Sequence, residues 1–398
     1  MSHPRILDDA VALARGLHAS GAPAWRVEQA VVDLGRSVGV KLDCFAIPTG
    51  LQLSDGAQVR LVRADSGEID LEARDALERA VRAPAPRAAV RRALSSLEAR
   101  TGLPVRAELV AHVACATGAA LLLDGQVGTV LAGALGGLWL GLLFQVSARL
   151  GDGGRLLPVL AAFGATVLAH ALGGALPVDL EMAVLSGLLI LLPGLGLTIG
   201  VAEVAAGHLS AGAARLTGAA VTLLLLGLGA TAGSALIPAG GPLAPAPPLW
   251  GAVPLGLWLS VGGLVTLFRA RRAQLPWVTL GLLLAWALPM LLADLGPTAT
   301  DFTTAAALGL CGSLLARRRR MPAQVVSLPG ILLLVPGGRA LRAVDALLRH
   351  DLHGVEVLAD SLATSGALVA GLLLAGLALP PRGASGVRVP AERVPAAP

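Results

Sequence analysis

Residues 109–147 read LVAHVACATGAALLLDGQVGTVLAGALGGLWLGLLFQVS, and Asp124 is the one Asp, Glu, Lys or Arg among them. Asp124-Gly125 divides the stretch into two apolar runs. A helix needs about 20 mostly apolar residues to cross the roughly 30 Å of bilayer hydrocarbon, and the span is helical because hydrocarbon offers an exposed backbone no hydrogen-bond partner. The same reading recurs through the rest of the chain and predicts spans at 109–123, 126–147, 156–175, 180–198, 215–238, 249–268, 275–293, 298–315, 323–338 and 361–380.

Composition agrees. The 398 residues are 55% hydrophobic and only 14% charged, against about 25% charged in soluble domains. Residues 1–108 hold 15 of the 31 Lys+Arg and 14 of the 26 Asp+Glu. That segment alternates amphipathic helix patterns (5–19, 25–38, 69–82, 87–100) with short strand patterns (40–47, 51–54, 59–62) around the turn Pro48-Thr49-Gly50. The expected fold is an all-α polytopic membrane protein of about ten transmembrane helices, arranged as two inverted five-helix repeats behind a small α+β amino-terminal domain. Residues 1–106 form the soluble cytoplasmic domain, 107–240 the first five-helix unit, and 241–398 the second unit with a cytoplasmic tail.

The formal charge of +5 does not indicate a nucleic-acid binder, because the basic residues sit in short clusters between apolar runs. With the amino terminus inside and ten crossings, inner loops and tail hold 13 Arg and outer loops hold three, Arg339, Arg342 and Arg349. This bias places both termini on the cytoplasmic side, and the expected location is a bacterial-type plasma (inner) membrane. The first 25 residues lack the apolar core of a signal peptide. Cys44, Cys115 and Cys311 are too scattered for a disulfide framework or a Cys-based metal site. No phosphate-binding loop is present.

Two apolar segments carry Pro-Gly steps: Pro193-Gly194 in the fourth span, and Pro329-Gly330 and Pro336-Gly337 in the ninth. These are equivalent positions in two five-span units. Because five is odd, the second unit enters the membrane inverted. Proline removes a backbone donor, and interrupted helices at matching positions of inverted repeats mark transporter binding sites. Among ionisable groups near membrane depth, Asp124 and Glu181 suit a turn and an interface, Glu203 suits proton coupling or ammonium binding, and Asp301 suits either a helix cap or coupling. His112, His170 and His208 are packing or relay histidines. Gly133, Gly137 and Gly141 form a small-residue stripe for close helix packing.

Pro193-Gly194-Leu195-Gly196-Leu197-Thr198, Glu203, Gly207-His208-Leu209 and Gly212-Ala213-Ala214-Arg215-Leu216 together resemble the signature of the threonine/serine exporter family. Ser20-Gly21-Ala22, Arg26-Val27-Glu28 and Pro48-Thr49-Gly50 are similar to its amino domain, and Pro329-Gly330-Ile331 to Val335-Pro336-Gly337 to its second half. Ile199 stands where the family usually has asparagine, and Ala202 where an arginine usually precedes the acid. The resemblance implies the fused, ten-span form of a secondary transporter exporting small amino acids, driven by proton exchange, and not an enzyme. It implies substrate or coupling roles for Pro193, Gly194, Thr198, Glu203, Pro329, Gly330, Pro336 and Gly337, with Asp124 and Asp301 as further candidates, and an amino-domain motif of Arg26, Glu28, Pro48, Thr49 and Gly50. Two alternatives stay open: a dicarboxylate exporter of the same family, and a membrane-anchored hydrolase acting through residues 1–106. Helix-terminal amides for a carboxylate and one acid for an ammonium favour a zwitterion. The expected partners are an amino-acid solute, the proton, the lipid bilayer and, as an open option, a second copy of the chain. No cofactor, metal or nucleic acid is expected.

Overall fold

A computed structural model describes residues 4–65, 67, 69–237, 247, 249–319, 321–334, 341, 343, 344, 346, 347 and 353–379. The amino-terminal unit comprises α1 (Pro4–Ala19), α2 (Ala24–Ser37), β1 (Asp43–Ile47), β2 (Gly50–Ser54), β3 (Val59–Arg63), α3 (Leu71–Val81) and α4 (Pro86–Glu98). On α1, Ile6, Leu7, Ala10, Leu13, Ala14 and Leu17 are buried at helical spacing, and on α2 so are Val27, Ala30, Val31 and Leu34. Asp70 caps α3, its side chain accepting from the Ala73 amide at 2.7 Å. The strands form an antiparallel sheet with β2 in the centre. Ile47 pairs with Gly50 across the two-residue turn Pro48-Thr49.

The helical remainder comprises α5 (Val105–Leu123), α6 (Val127–Leu150), α7 (Leu157–Gly173), α8 (Leu180–Gly187), α9 (Gly194–Ala205), α10 (Leu209–Leu236), α11 (Val253–Leu267), α12 (Leu275–Leu291), α13 (Pro297–Arg319), α14 (Gln324–Leu334) and α15 (His353–Ala378). Among the described residues, seven helices are long and apolar enough to cross a membrane: α5, α6, α7, α10, α12, α13 and α15. The helices α9, α11 and α14 are apolar but shorter. Leu131, Leu135, Leu138, Leu142 and Val146 form one exposed stripe on α6, which suits hydrocarbon and would be a liability in water.

Several boundaries differ from the sequence expectation. Helix α10 begins at Leu209 rather than 215, because its first turn is held by protein: Ala211 packs into the core of the amino-terminal unit. Helix α15 begins at His353 rather than 361, since a helix need not stop where its apolar stretch does. The two Pro-Gly segments also behave differently. In the fourth, α8 ends at Gly187 and α9 starts only at Gly194, with turns between. In the ninth, α14 runs unbroken through Pro329-Gly330, where Gly330 lies tightly between Leu308 of α13 and Gly281 of α12. Close packing on both sides holds that helix despite the lost donor. Pro336 and Gly337 lie outside the described residues.

Small residues set the helix contacts. A Cβ on Gly118 of α5 would stand 2.4 Å from Ser260 Oγ of α11, and one on Gly229 of α10 would stand 2.2 Å from the Val159 carbonyl of α7. The stripe of Gly133, Gly137 and Gly141 does pack closely, against Ser186, Ala116 and Leu109 respectively. The pairings repeat: α6 packs on α8 and α12 on α14, and α7 packs on α10 and α13 on α15. The break between α8 and α9 adjoins the later helices, since Leu189, Ile190 and Leu195 share a core with Leu308, Leu328 and Leu332.

Candidate functional site

Glu203 occupies the last turn of α9 and is fully buried. Gly207, with φ +87°, takes a left-handed conformation that glycine accepts without steric cost, and the chain reverses into α10. The reversal brings Arg215 against Glu203. Arg215 Nε donates to Glu203 Oε2 at 3.1 Å and Nη2 to Oε1 at 3.3 Å. The Ala24 amide, at the start of α2, donates to the same Oε1 at 3.0 Å. A buried carboxylate needs an opposite charge and hydrogen-bond donors, and a helix N-terminus suits an anion. Glu203 therefore fastens α9, α10 and the amino-terminal unit at one point.

Glu28, one turn along α2, accepts from the Ala46 amide at 3.0 Å, and its other oxygen lies 3.4 Å from His208 Nδ1. Burial pushes the Glu28 carboxyl above its ordinary range, while the Ala46 bond and His208 pull it down. The His208 ring also stacks at a tilt on Trp25, 6.5 Å between centroids. A second attachment lies at the loop after α11. The Leu71 amide donates to the Phe268 carbonyl at 2.9 Å. Arg269 approaches Asp70 at 3.9 Å and Arg271 approaches Asp75 at 3.5 Å.

Beside the first attachment lies a cavity of about 390 Å³, within the roughly 300–1,000 Å³ of ligand pockets. Pro48, Thr49 and Asp65 line it from the amino-terminal unit, Pro193 and Gly196 from the start of α9, and Ala214, Arg215, Gly218, Ala219 and Thr222 from α10. The site thus gathers Pro48, Thr49 and Pro193, with Glu203 and Glu28 alongside. Gly194 is buried, and the Thr198 hydroxyl donates back to its carbonyl at 3.0 Å. Gly50 pairs with Ile47 and Arg63 in the sheet. Other expected residues lie elsewhere. Asp124 accepts from the amide and side chain of Gln126 in the turn after α5. Asp301 is buried in α13 with Thr300 and Thr304. Pro329 and Gly330 are buried within α14. His112 and His170 bond carbonyls one turn back on their own helices. His18 Nε2 lies 3.1 Å from the Pro48 carbonyl, and the Ser20 hydroxyl donates to the Leu17 carbonyl.

Sequence reasoning missed Asp65, Thr222 and the lining role of the α10 face. The signal was available in part: 214, 215, 218, 219 and 222 recur at helical spacing, four of them small or hydroxylated and one an arginine. No local pattern marks Asp65.

Arg26 of the amino-domain motif bonds Glu78 at 3.2 Å, and Glu78 also accepts from Arg74 at 3.3 Å and Arg82 at 3.4 Å. Burial alone would raise the Glu78 carboxyl, but the three guanidinium groups outweigh it and hold it below its ordinary value of 4.5. A depressed carboxyl stabilises the fold above its unfolded value, and that stability is lost as pH falls through the folded value. The thermal midpoint of the purified protein should therefore drop as pH is lowered below 4.5, and Glu78→Gln should flatten this acid limb. Parallel acid limbs in the two proteins would contradict the assignment.

Crossing-length apolar helices, a break between α8 and α9 beside the later helices, and a cavity at that break that includes Asp65 and Arg215 fit a multi-pass membrane protein of the transporter class. A family model described as "Putative threonine/serine exporter" matches residues 8–237, and one described as "Threonine/Serine exporter, ThrE" matches residues 255–378. The chain belongs to the threonine/serine exporter family, with the two parts in succession. No curated protein and no solved structure matches it.

Proposed function

We propose that the protein is a secondary transporter that exports small amino acids of the threonine/serine type from the cytoplasm, coupled to protons. The observation that carries this reading is the opening of the α8–α9 break, through Pro193 and Gly196, onto a cavity that also holds Arg215 and Asp65. In this reading ten segments cross the inner membrane, α8 and α9 together making one crossing, and the two five-segment units are inverted relative to each other. The repeated helix pairings support the two units. The amino-terminal unit touches the α9–α10 turn and the loop after α11, both of which the arginine bias assigns to the cytoplasm. The substrate and coupling roles proposed for Glu203 and Pro193 act at this mouth. The pairing of Glu28 with His208 offers a proton-accepting group there. The amino-terminal unit is a gating element, because it is fastened to both parts of the membrane region.

Cells loaded with threonine- and serine-containing dipeptides test this. Deleting the gene should slow efflux of both amino acids several-fold, and restoring it should recover the rate. Equal efflux with and without the gene would reject the reading.

A further inference from the structure

We propose that the cavity is a loading site for the zwitterionic head of a small amino acid, and that the amino-terminal unit supplies its ammonium ligand, Asp65. The inference rests on the exporter reading and adds the site and the division of labour within it.

The cavity presents charges of both signs from two different parts of the chain. Asp65 follows β3 and is exposed at the cavity wall. Among the described residues it makes no ion pair or hydrogen bond. Arg215 lies on the wall that α10 forms. It uses Nε and Nη2 on Glu203, which leaves Nη1 outside that pair. An ammonium and a carboxylate two bonds apart on one carbon match an acid on one wall and a guanidinium on the other. The Gly196 position adds the positive end of α9 to the carboxylate side.

The remaining lining sets the size. Ala214, Gly218 and Ala219 are among the smallest side chains, and Thr49 and Thr222 are the hydroxyl-bearing ones. Small walls with one hydroxyl on each side suit a short, hydroxylated side chain and leave little to hold a large apolar one. Thr49 also sits at the tip of a hairpin whose turn is tied to α1 by His18, so the wall it forms is positioned and not a loose loop. The amino-terminal unit is then part of the binding site itself and not only its cover.

The test is titration calorimetry of the full-length protein in lipid nanodiscs with L-threonine and with N-acetyl-L-threonine, which keeps the carboxylate and side chain but has no ammonium. Wild type should prefer threonine. Asp65→Asn should weaken threonine binding at least fivefold and leave N-acetyl-threonine where it was, so that the preference collapses. Asp43→Asn, which removes an exposed charge from the same unit away from the cavity, should bind both as wild type does. Threonine affinity unchanged in Asp65→Asn, or an equal loss for both ligands, would overturn the proposal. If Asp65→Asn matches wild type while gene deletion still slows efflux, the site assignment fails and the exporter reading stands. If wild type binds no threonine and deletion changes no efflux, both fail together.

Discussion

Replacing Glu203 with alanine should destabilise the protein by roughly 3–5 kcal/mol, the usual cost of removing one partner from a buried ion pair. The wild-type carboxylate is fully buried and Arg215 is only 15% exposed at its side chain, so the variant leaves a largely desolvated guanidinium without its counter-charge. It also strips the acceptor from the Ala24 amide at the start of α2. Thermal unfolding of the detergent-solubilised protein reads the first loss, and faster proteolytic release of the amino-terminal unit reads the second. Glu203→Leu combined with Arg215→Met should recover much of the stability, because an apolar pair of similar volume carries no desolvation cost. It should not recover threonine efflux, since Arg215 lines the cavity. An unchanged unfolding midpoint in Glu203→Ala would refute the buried-pair account.

The second large effect is expected at Gly281. A Cβ there would stand 2.1 Å from the Val326 carbonyl, and one on the facing Gly330 would stand 2.9 Å from the Gly281 carbonyl. The obstructing atoms are backbone and cannot rotate away. Gly281→Val must therefore push α12 and α14 apart. Overpacking costs typically 1–3 kcal/mol, and a backbone obstacle puts this case at about 3 kcal/mol, with loss of folded protein after extraction. Gly366→Ala in α15 is the contrast, since nothing lies within 4 Å of its added Cβ, and alanine is the better helix former by about 1 kcal/mol. Monodisperse yield on size-exclusion chromatography separates the two. Equal yields would show that the α12–α14 contact tolerates a side chain.

Much of the fold could be read without coordinates because two periodicities carry it. Apolar runs marked the helices from 109 onward, and stripes such as Leu7, Leu13 and Leu17 marked the amino-terminal ones. The site was less legible. Glu203 and Arg215 are 12 positions apart and meet only because Gly207 reverses the chain. Asp65 reaches the cavity because the amino-terminal unit docks on helices more than a hundred residues away, and no window of sequence contains that event. Pro193-Gly194 and Pro329-Gly330 looked alike in sequence, yet one lies at a break and the other inside a packed helix. What distinguishes them is the surroundings: Gly330 is hemmed in by α12 and α13, whereas Pro193 borders open space.

The arginine cluster of the amino-terminal unit acquires a mechanical sense from its position. Helix α2 is stapled to the earlier helices through Ala24 and Glu203, while α3 is stapled to the later ones through Leu71 and Phe268. The bond between Arg26 and Glu78 joins α2 to α3. It therefore works as a tie-rod between the two staples and carries part of the load when the gap between the two parts of the bundle widens.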